Sequence, residues 1–300
     1  MDVRSLRGRL ALVTGAASGI GRASALAFAR RGADLALCDL DDARLAEVEA
    51  AARALGAEVL ARRVDVASAD QMLAFAAEVH ARAPAVDLLM NNAGVGLGGP
   101  LLDTSLEDWR WIVDINLFGV VHGIHCFVPK MVERGRGGHV VNVASMAGYV
   151  ASSTLPAYVA TKFAVLGLSE SLREELAPHR IGVTAVCPGI INTPIVASGR
   201  MRGAAADPAV RAQLAQAFAR RNYPPERVAE NVLRAVQRNR AVAPISPEAW
   251  IFYYAKRLAP GVVRWIGGRF SRWQTGLVPR PVRLIRFWPP PIRVSLYPIA

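Results

Sequence analysis

The stretch Thr14-Gly15-Ala16-Ala17-Ser18-Gly19-Ile20-Gly21 follows the apolar run Leu10–Thr14 and leads into the Ala- and Leu-rich segment Ile20–Arg31. The run reads as a buried strand and the segment as a helix. A strand that turns through glycines into a helix aims the helix's free N–H groups, and the positive end of its dipole, at whatever lies above the turn. Glycine lets the backbone turn tightly and approach a pyrophosphate. The spacing is G-x-x-x-G-x-G rather than G-x-G-x-x-G, and three glycines also make an ordinary strand-to-helix turn. The position between a strand and a helix is what favours a nucleotide.

The same alternation continues outward. Asp34–Asp39 reads as a strand and Asp42–Leu55 as a helix with acids in its first turn. Strands at Glu58–Val64 and Val86–Asn91 flank a helix from about Ser68 to Ala83. A long helical stretch covers Leu106 to Glu133, followed by a strand at His139–Ala144, a helix at Ala157–Leu176 and a strand at Gly182–Cys187. Helices at Pro208–Arg220 and Pro225–Arg238 precede a short strand at Ala241–Ile245. Alternating strands and helices with continuously apolar strands predict a parallel sheet covered on both faces, α/β and doubly wound in the Rossmann manner. No repeat of solenoid length is present.

The chain has 300 residues, 52% hydrophobic and 20% charged, which excludes a disordered or collagen-like polymer. Cys38, Cys126 and Cys187 are far apart, which argues against a disulfide scaffold or zinc ribbon and for a reducing compartment. The apolar run Leu10–Val13 is too short for a signal peptide, and no uncharged apolar run reaches membrane-spanning length, so a cytoplasmic location is expected. The net charge of +12 is uneven: from Ala249 onward there are nine basic residues and no acidic one, whereas residues 1–248 carry 27 basic against 24 acidic side chains. The basic balance therefore belongs to the C-terminal part, which also holds Trp250, Trp265, Trp273 and Trp288. Nucleic acid is not expected, because no recognition motif accompanies the charge.

Chemistry-bearing residues fall where a doubly wound sheet gathers ligands, at the carboxyl ends of the strands. Asp39 ends the second strand at the spacing of an acid that binds an adenosine ribose, and a carboxylate there repels a 2′-phosphate. Neither Ser18 nor Leu40 is basic, so NAD is expected rather than NADP. Taken alone, Asp39 also reads as a helix-capping or solvated acid. Tyr158 and Lys162 share one helical face, four residues apart. A free phenol titrates at about 10, and a nearby ammonium together with a positively charged nicotinamide lowers that value, so the pair is expected to make a general acid/base. By itself the pair is an ordinary surface motif. Ser145, just past the strand His139–Ala144, supplies a hydroxyl for a substrate oxygen, or else caps a turn. His122 and His125 lie three apart on a helix without a third ligand, and no metal site is expected.

Taken together these residues resemble the short-chain dehydrogenase/reductase family of the TGxxxGIG / YxxxK type, over about residues 8–245. The resemblance rests on Thr14–Gly21, Asp39, Asp65-Val66, Asn91-Asn92-Ala93-Gly94, Asn116, Ser145, Tyr158, Lys162 and Pro188-Gly189-Ile190-Ile191-Asn192-Thr193. It implies a catalytic tetrad of Asn116, Ser145, Tyr158 and Lys162. Tyr158 would be the acid/base and Ser145 would hold the substrate oxygen. Lys162 would bind the nicotinamide ribose and lower the Tyr158 pKa, and Asn116 would fix a water in the relay. The coenzyme would lie along Gly15, Ser18, Gly19, Ile20, Gly21 and Asp39, with Asp65 and Val66 at the adenine. Asn92, Ala93 and Gly94 would line the adenosine side, and Pro188, Gly189, Ile191 and Thr193 the nicotinamide end. The implied activity is NAD(H)-dependent interconversion of a secondary alcohol and a ketone. The family also implies a homodimer or homotetramer. The alternatives are an NADP-dependent reductase, a related reaction such as epimerisation or dehydration, and a module that binds NAD(H) without turnover.

The segments expected to read substrate, Gly94–Leu101 and Pro194–Pro224, are mostly apolar, so the expected substrate is apolar too: a lipid, a steroid or a small acyloin. Arg200 and Arg202 are the candidates for meeting a substrate carboxylate or phosphate. The expected domains are a catalytic unit over 1–247, an amphipathic extension over 248–274 and a Pro/Arg-rich disordered tail over 275–300. Within the extension, Trp250–Leu258 and Gly261–Phe270 are candidate helices. Three readings compete for the C-terminal region: packing over the cleft or an oligomer interface, peripheral contact with an anionic membrane, and a tail without a role.

Overall fold

A computed structural model of the chain describes residues 2–265. Its first half runs β1 (Leu10–Thr14), α1 (Gly19–Ala29), β2 (Asp34–Asp39), α2 (Asp42–Ala54), β3 (Val59–Arg63), α3 (Ala69–Arg82), β4 (Leu88–Asn91), β5 (Leu97–Gly98), α4 (Leu106–Val113) and α5 (Gly119–Arg134). Its second half runs β6 (Gly138–Val143), α6 (Pro156–Leu176), β7 (Ile181–Pro188), α7 (Ile195–Ser198), β8 (Arg200–Met201), α8 (Pro208–Arg221), α9 (Pro225–Gln237), β9 (Val242–Ile245) and α10 (Pro247–Leu258). Seven strands form one parallel sheet in the order β3-β2-β1-β4-β6-β7-β9.

Strand side chains alternate between two cores, which is why the strands are apolar throughout rather than on one face. Ala11 and Val13 of β1 join a core built with α1, α2 and α9, while Leu12 joins a core built with α3, α5 and α6. Leu88 and Met90 of β4 divide from Leu89 in the same way. The strand order reverses between β1 and β4, and the gap this opens above their carboxyl ends is where such sheets bind ligands.

The structure departs from the sequence reading in two places. The helix expected from Leu106 to Glu133 is present, but a π-turn at Asp114–Phe118 separates α4 from α5. Such a turn inserts an extra residue into the helix and is frequent at functional sites. Here it carries Asn116, which is fully buried. Among the described residues this helix, Leu106–Arg134, is also the one long and apolar enough to cross a bilayer. In the fold, however, its residues Ile112, Val120, Phe127 and Met131 are buried core. The second departure is a two-stranded sheet of β5 and β8, which pairs Leu97 with Arg200 and Gly98 with Met201. The second C-terminal helix candidate, Gly261–Phe270, is helical as far as the described residues reach, over 260–265. Its remainder, like the tail over 275–300, lies outside the described residues.

Two helix glycines test this packing. A Cβ at Gly123 of α5 would collide with Asn91 Oδ1, whereas one at Gly167 of α6 would meet nothing within 4 Å. Gly123→Ala is expected to cost about 1–3 kcal/mol by overpacking, and Gly167→Ala to be neutral or stabilising by about 0.5–1 kcal/mol. Paired denaturant melts of the two variants check this.

Candidate active site

The turn after β1 and the turn after β4 are stitched together. Thr14 Oγ1 accepts the backbone N–H groups of Asn92 and Ala93, each at 3.0 Å. The Asn92 side-chain amide donates to the Thr14 and Gly15 carbonyls at 2.9 and 3.0 Å. This contact explains the glycine spacing. Gly15 sits at φ +64°, and a Cβ there would come 2.7 Å from Ala93 Cα; one at Gly21 would strike the Gly15 carbonyl. Ser18 is the N-cap of α1 and makes no side-chain capping bond, so the first-turn N–H groups have no side-chain acceptor from the cap. A Cβ at Gly19 would come 3.2 Å from the Thr193 methyl. The glycine turn and the segment after β7 therefore approach closely at the carboxyl edge of the sheet.

Asp39 ends β2 with a half-exposed carboxylate that accepts the Ala17 N–H at 2.9 Å and the Asp41 N–H at 3.0 Å. It braces the glycine turn from below. The cap of α2 is Asp41, which accepts the Arg44 N–H, so Asp39 is not the capping acid. Arg63 of β3 stands in register beside Asp39. The sequence reading looked for basic residues only at positions 18 and 40 and missed it, since strand pairing is invisible to local spacing. Beyond β3, the Asp65 carboxylate accepts the Ala67 N–H at 2.9 Å, and Val66 is buried with its carbonyl accepting His122 Nδ1–H at 2.8 Å. The neighbouring Asn91 is core: its amide donates to Asn142 Oδ1 at 2.9 Å, and Asn142 donates to Ser169.

The turn after β6 and the start of α6 carry Ser145, Tyr158 and Lys162. Ser145 follows β6 and caps a short turn, accepting the Ala147 N–H at 3.1 Å. Tyr158 and Lys162 lie on the first turns of α6. Lys162 is buried; its Nζ donates to the Val143 carbonyl at 3.0 Å and lies 5.7 Å from the centre of the Tyr158 ring. The expectation that this ammonium makes the phenol acidic is not met in the chain alone. Burial is the largest influence on Tyr158 and pushes its pKa up, against the pull of a hydrogen bond with Ser145, and Cys187 adds to the rise. Burial also draws the Lys162 ammonium down to about 8. The physical reason is that loss of water penalises a phenolate and an ammonium alike, while Nζ is directed to a carbonyl and sits over the ring.

Asn116 is buried on the π-turn. Its side-chain amide donates to the Val95 carbonyl at 3.0 Å and toward Thr161 Oγ1 at 3.4 Å, and its Oδ1 accepts the Val95 N–H at 2.8 Å. That side chain clasps the backbone after Gly94 and positions the loop. A methyl at Gly94 would lie 3.1 Å from Asn116 Oδ1 and 3.5 Å from Lys162 Nζ, so this turn touches both. Pro188 ends β7, Gly189 donates its N–H to the Ile245 carbonyl at 3.0 Å, and Ile191 is buried. Beyond them a cleft of ≈ 290 Å³ opens, lined by Asn192, Thr193, Pro194, Ala197, Ala215 and Phe218.

Two clusters escaped the sequence reading. Arg200 and Arg202, the candidate partners of an acidic substrate, instead grip buried Asp108 at 3.2 and 2.6 Å, and Arg200 also stacks on Trp111. The same carboxylate closes a capping box with Ser105 at the start of α4. The clasp fixes β8, and with it the segment after Thr193, to α4. Glu248 of α10 accepts the Ile190 N–H at 3.1 Å and pairs with Arg221 of α8 at 2.8 Å, tying the turn after β7 to the C-terminal helix. Both pairings join residues far apart in the chain. Among the described residues no three His, Cys, Asp or Glu side chains gather as metal ligands.

Comparison with known proteins accords with this geometry. The family model of the short chain dehydrogenases matches residues 9–202. The chain belongs to the short-chain dehydrogenase family. It is 40% identical over 259 residues to the probable oxidoreductase EphD of Mycobacterium tuberculosis, covering 85% of this chain but only 44% of that one. It is 37% identical over 211 residues to 1-deoxy-11-beta-hydroxypentalenate dehydrogenase of Streptomyces exfoliatus, covering 69% of this chain and 77% of that one. A short-chain dehydrogenase/reductase from Burkholderia phymatum, solved in complex with NAD, superposes with a TM-score of 0.76 at 32% identity, over 93% of this chain and 99% of that one. The chain is thus an oxidoreductase-family protein with the family's sheet.

The arginine clasp holds the Asp108 carboxyl at about 2, against the opposing effect of burial. A depressed carboxylate contributes stability above its ordinary range and loses it as pH falls through its folded value. With each arginine side chain about a third exposed, Asp108→Asn is expected to cost about 1–3 kcal/mol at neutral pH. Denaturant melts should show the gap between wild type and variant constant above about pH 5 and closing between about pH 4 and 2.

Proposed function

We propose that this chain is an NAD(H)-dependent oxidoreductase that interconverts an apolar secondary alcohol and its ketone. The observation that carries the reading is the grouping of the Ser145 hydroxyl, the Tyr158 phenol and the Lys162 ammonium on one wall, facing a glycine cradle stitched to β4. The cradle fits a dinucleotide by its chemistry: side-chain-free backbone at residues 15, 19 and 21, the dipole end of α1, and a carboxylate at Asp39. Gly15, Ser18, Gly19, Ile20 and Gly21 would bind the pyrophosphate, and Asp39 the adenosine ribose. Asp65, Val66, Asn92, Ala93 and Gly94 would flank the adenine and its ribose. Pro188, Gly189, Ile191 and Thr193 would bound the nicotinamide end. Two relatives support this: one named a dehydrogenase, the other solved with NAD.

When bound, the coenzyme would supply the hydride chemistry and, in its oxidised form, a positive charge. Every other part belongs to the chain. Ser145 holds the substrate oxygen, and Tyr158 takes the alcohol proton or returns one to the ketone. Lys162 binds the nicotinamide ribose and adds positive charge near the phenol. Asn116 keeps the Gly94–Val95 backbone against Lys162. Burial keeps water from competing for the proton. The cleft beyond Thr193 has Ala197, Ala215 and Phe218 in its lining, and Arg200 and Arg202 are already paired with Asp108, which favours an apolar substrate over an anionic one. A homodimer or homotetramer remains the family expectation, and Phe118 and Phe163, exposed on helices that carry Asn116 and Tyr158, suit such an interface.

NAD is favoured because Asp39 would repel a 2′-phosphate. Arg63 beside it is the one observation on the side of NADP. Turnover of a panel of secondary alcohols, followed by NADH absorbance, tests the proposal. Tyr158→Phe should lose turnover by at least about a thousandfold while keeping NADH binding by fluorescence. A variant that still turned over would refute the acid/base role, and a wild type without turnover on any alcohol would favour a binding module. NAD should be preferred over NADP, with Asp39→Ala narrowing the preference by about tenfold or more. A wild type that prefers NADP would shift the reading to Arg63.

A further inference from the structure

α10 is apolar on both of its faces. Its inner side is seated on the fold: Ala249 is buried, Phe252 and Tyr253 pack on the core beside Cys187, and the Ala249 carbonyl accepts the Tyr149 hydroxyl at 2.7 Å. Its outer side presents Ile251, Tyr254 and Leu258 at spacings of three and four, with Ile251 66% and Leu258 81% exposed. The helical residues 260–265 add Val262 and Trp265, both more than half exposed. A helix that is apolar all round is normally buried all round. Five large apolar side chains along one edge of the molecule therefore imply that something covers them.

The charges beside the patch indicate what. Lys256, Arg257 and Arg264 flank it, and the sequence continues to residue 300 without an acidic side chain. The nearest acid in the sequence, Glu248, is paired with Arg221 and the Ile190 N–H. Arg257 lies over the Tyr253 ring, with its guanidinium 3.7 Å from the ring centre. An apolar stripe edged by cations, with Trp and Tyr at its borders, matches the interface of an anionic bilayer: rings and alkyl groups at headgroup depth, arginines on the phosphates. An uncharged or basic protein partner would leave the cations unanswered.

We propose that the outer face of α10 and of residues 260–265 docks on an anionic lipid surface, with the helix lying in the plane of the headgroups. Seating by Phe252, Tyr253 and Glu248 makes the face part of the folded unit rather than a loose tether. Because Glu248 also binds the turn after β7, the docked helix is continuous with the cleft beyond Thr193, which would then open close to the membrane.

The test uses the full chain and sedimentation with phosphatidylcholine vesicles, alone or with about a third phosphatidylglycerol. Binding is expected with the anionic vesicles, falling steeply as salt is raised. The double variant Ile251→Ser/Leu258→Ser, which touches neither the core nor the cradle, should bind at least about tenfold more weakly. Its thermal melt and NADH binding, unchanged, would show that it is folded. Equal binding of wild type and variant would overturn the assignment to this face, as would absence of binding to the anionic vesicles. Light scattering separates the remaining occupant: an oligomer that the double variant splits, without vesicle binding, would make this face a contact between copies of the chain.

Discussion

Lys162 is buried one helical turn from the half-buried Tyr158, and loss of water works against the charged form of each. Lys162 is nearly inaccessible and gives one proton to the Val143 carbonyl. Its charge is costly there, and its pKa falls to about 8. Tyr158 meets the same penalty from the other side, since burial favours the neutral phenol. At neutral pH an ammonium at about 8 still carries most of its charge, whereas the phenol, pushed above its ordinary value, is protonated. In the proposed reading the positive charge of bound NAD would draw the phenol back toward its charged form.

Rigid support keeps the two walls in register. Thr14 and Asn92 join β1 to β4 at the point where the strand order reverses. Asn116 joins the Gly94–Val95 turn to the helix that crosses behind it, and it can reach because the π-turn swings its side chain inward. On the substrate side, the Asp108 clasp and the Glu248 pair hold the segment after β7 from two directions. Each of these cross-links is polar and mostly enclosed, so each is strong where both partners are present and costly where one is removed.

The sheet was legible in the sequence because its signals are local. Continuous apolar strands, helical periodicity and the glycine turn locate Leu10–Thr14 and Asp34–Asp39 to the residue, and most helices within one or two. What stayed hidden depends on distance in three dimensions. The β5–β8 pairing joins strands of two residues about a hundred positions apart, too short to show a pattern. Arg200 and Arg202 looked like free cations because nothing nearby in sequence marks Asp108 as their partner. Arg63 beside Asp39 follows from strand register, and Glu248 at Ile190 from the packing of α10. The direction of the Tyr158 shift in the chain alone is hidden for the same reason. The i,i+4 spacing shows that the lysine is near, but only the folded structure shows how dry the phenol is and where the ammonium points.

The account stands most directly on the ionisation of one phenol. The phenolate absorbance of the full chain, titrated from pH 6 to 11 with and without NAD and corrected by the Tyr158→Phe variant, isolates that group. The expected result is a Tyr158 that stays protonated past about pH 10 in the chain alone and titrates at clearly lower pH once NAD is bound. A phenol already acidic without the coenzyme, or one that NAD leaves unmoved, would contradict it.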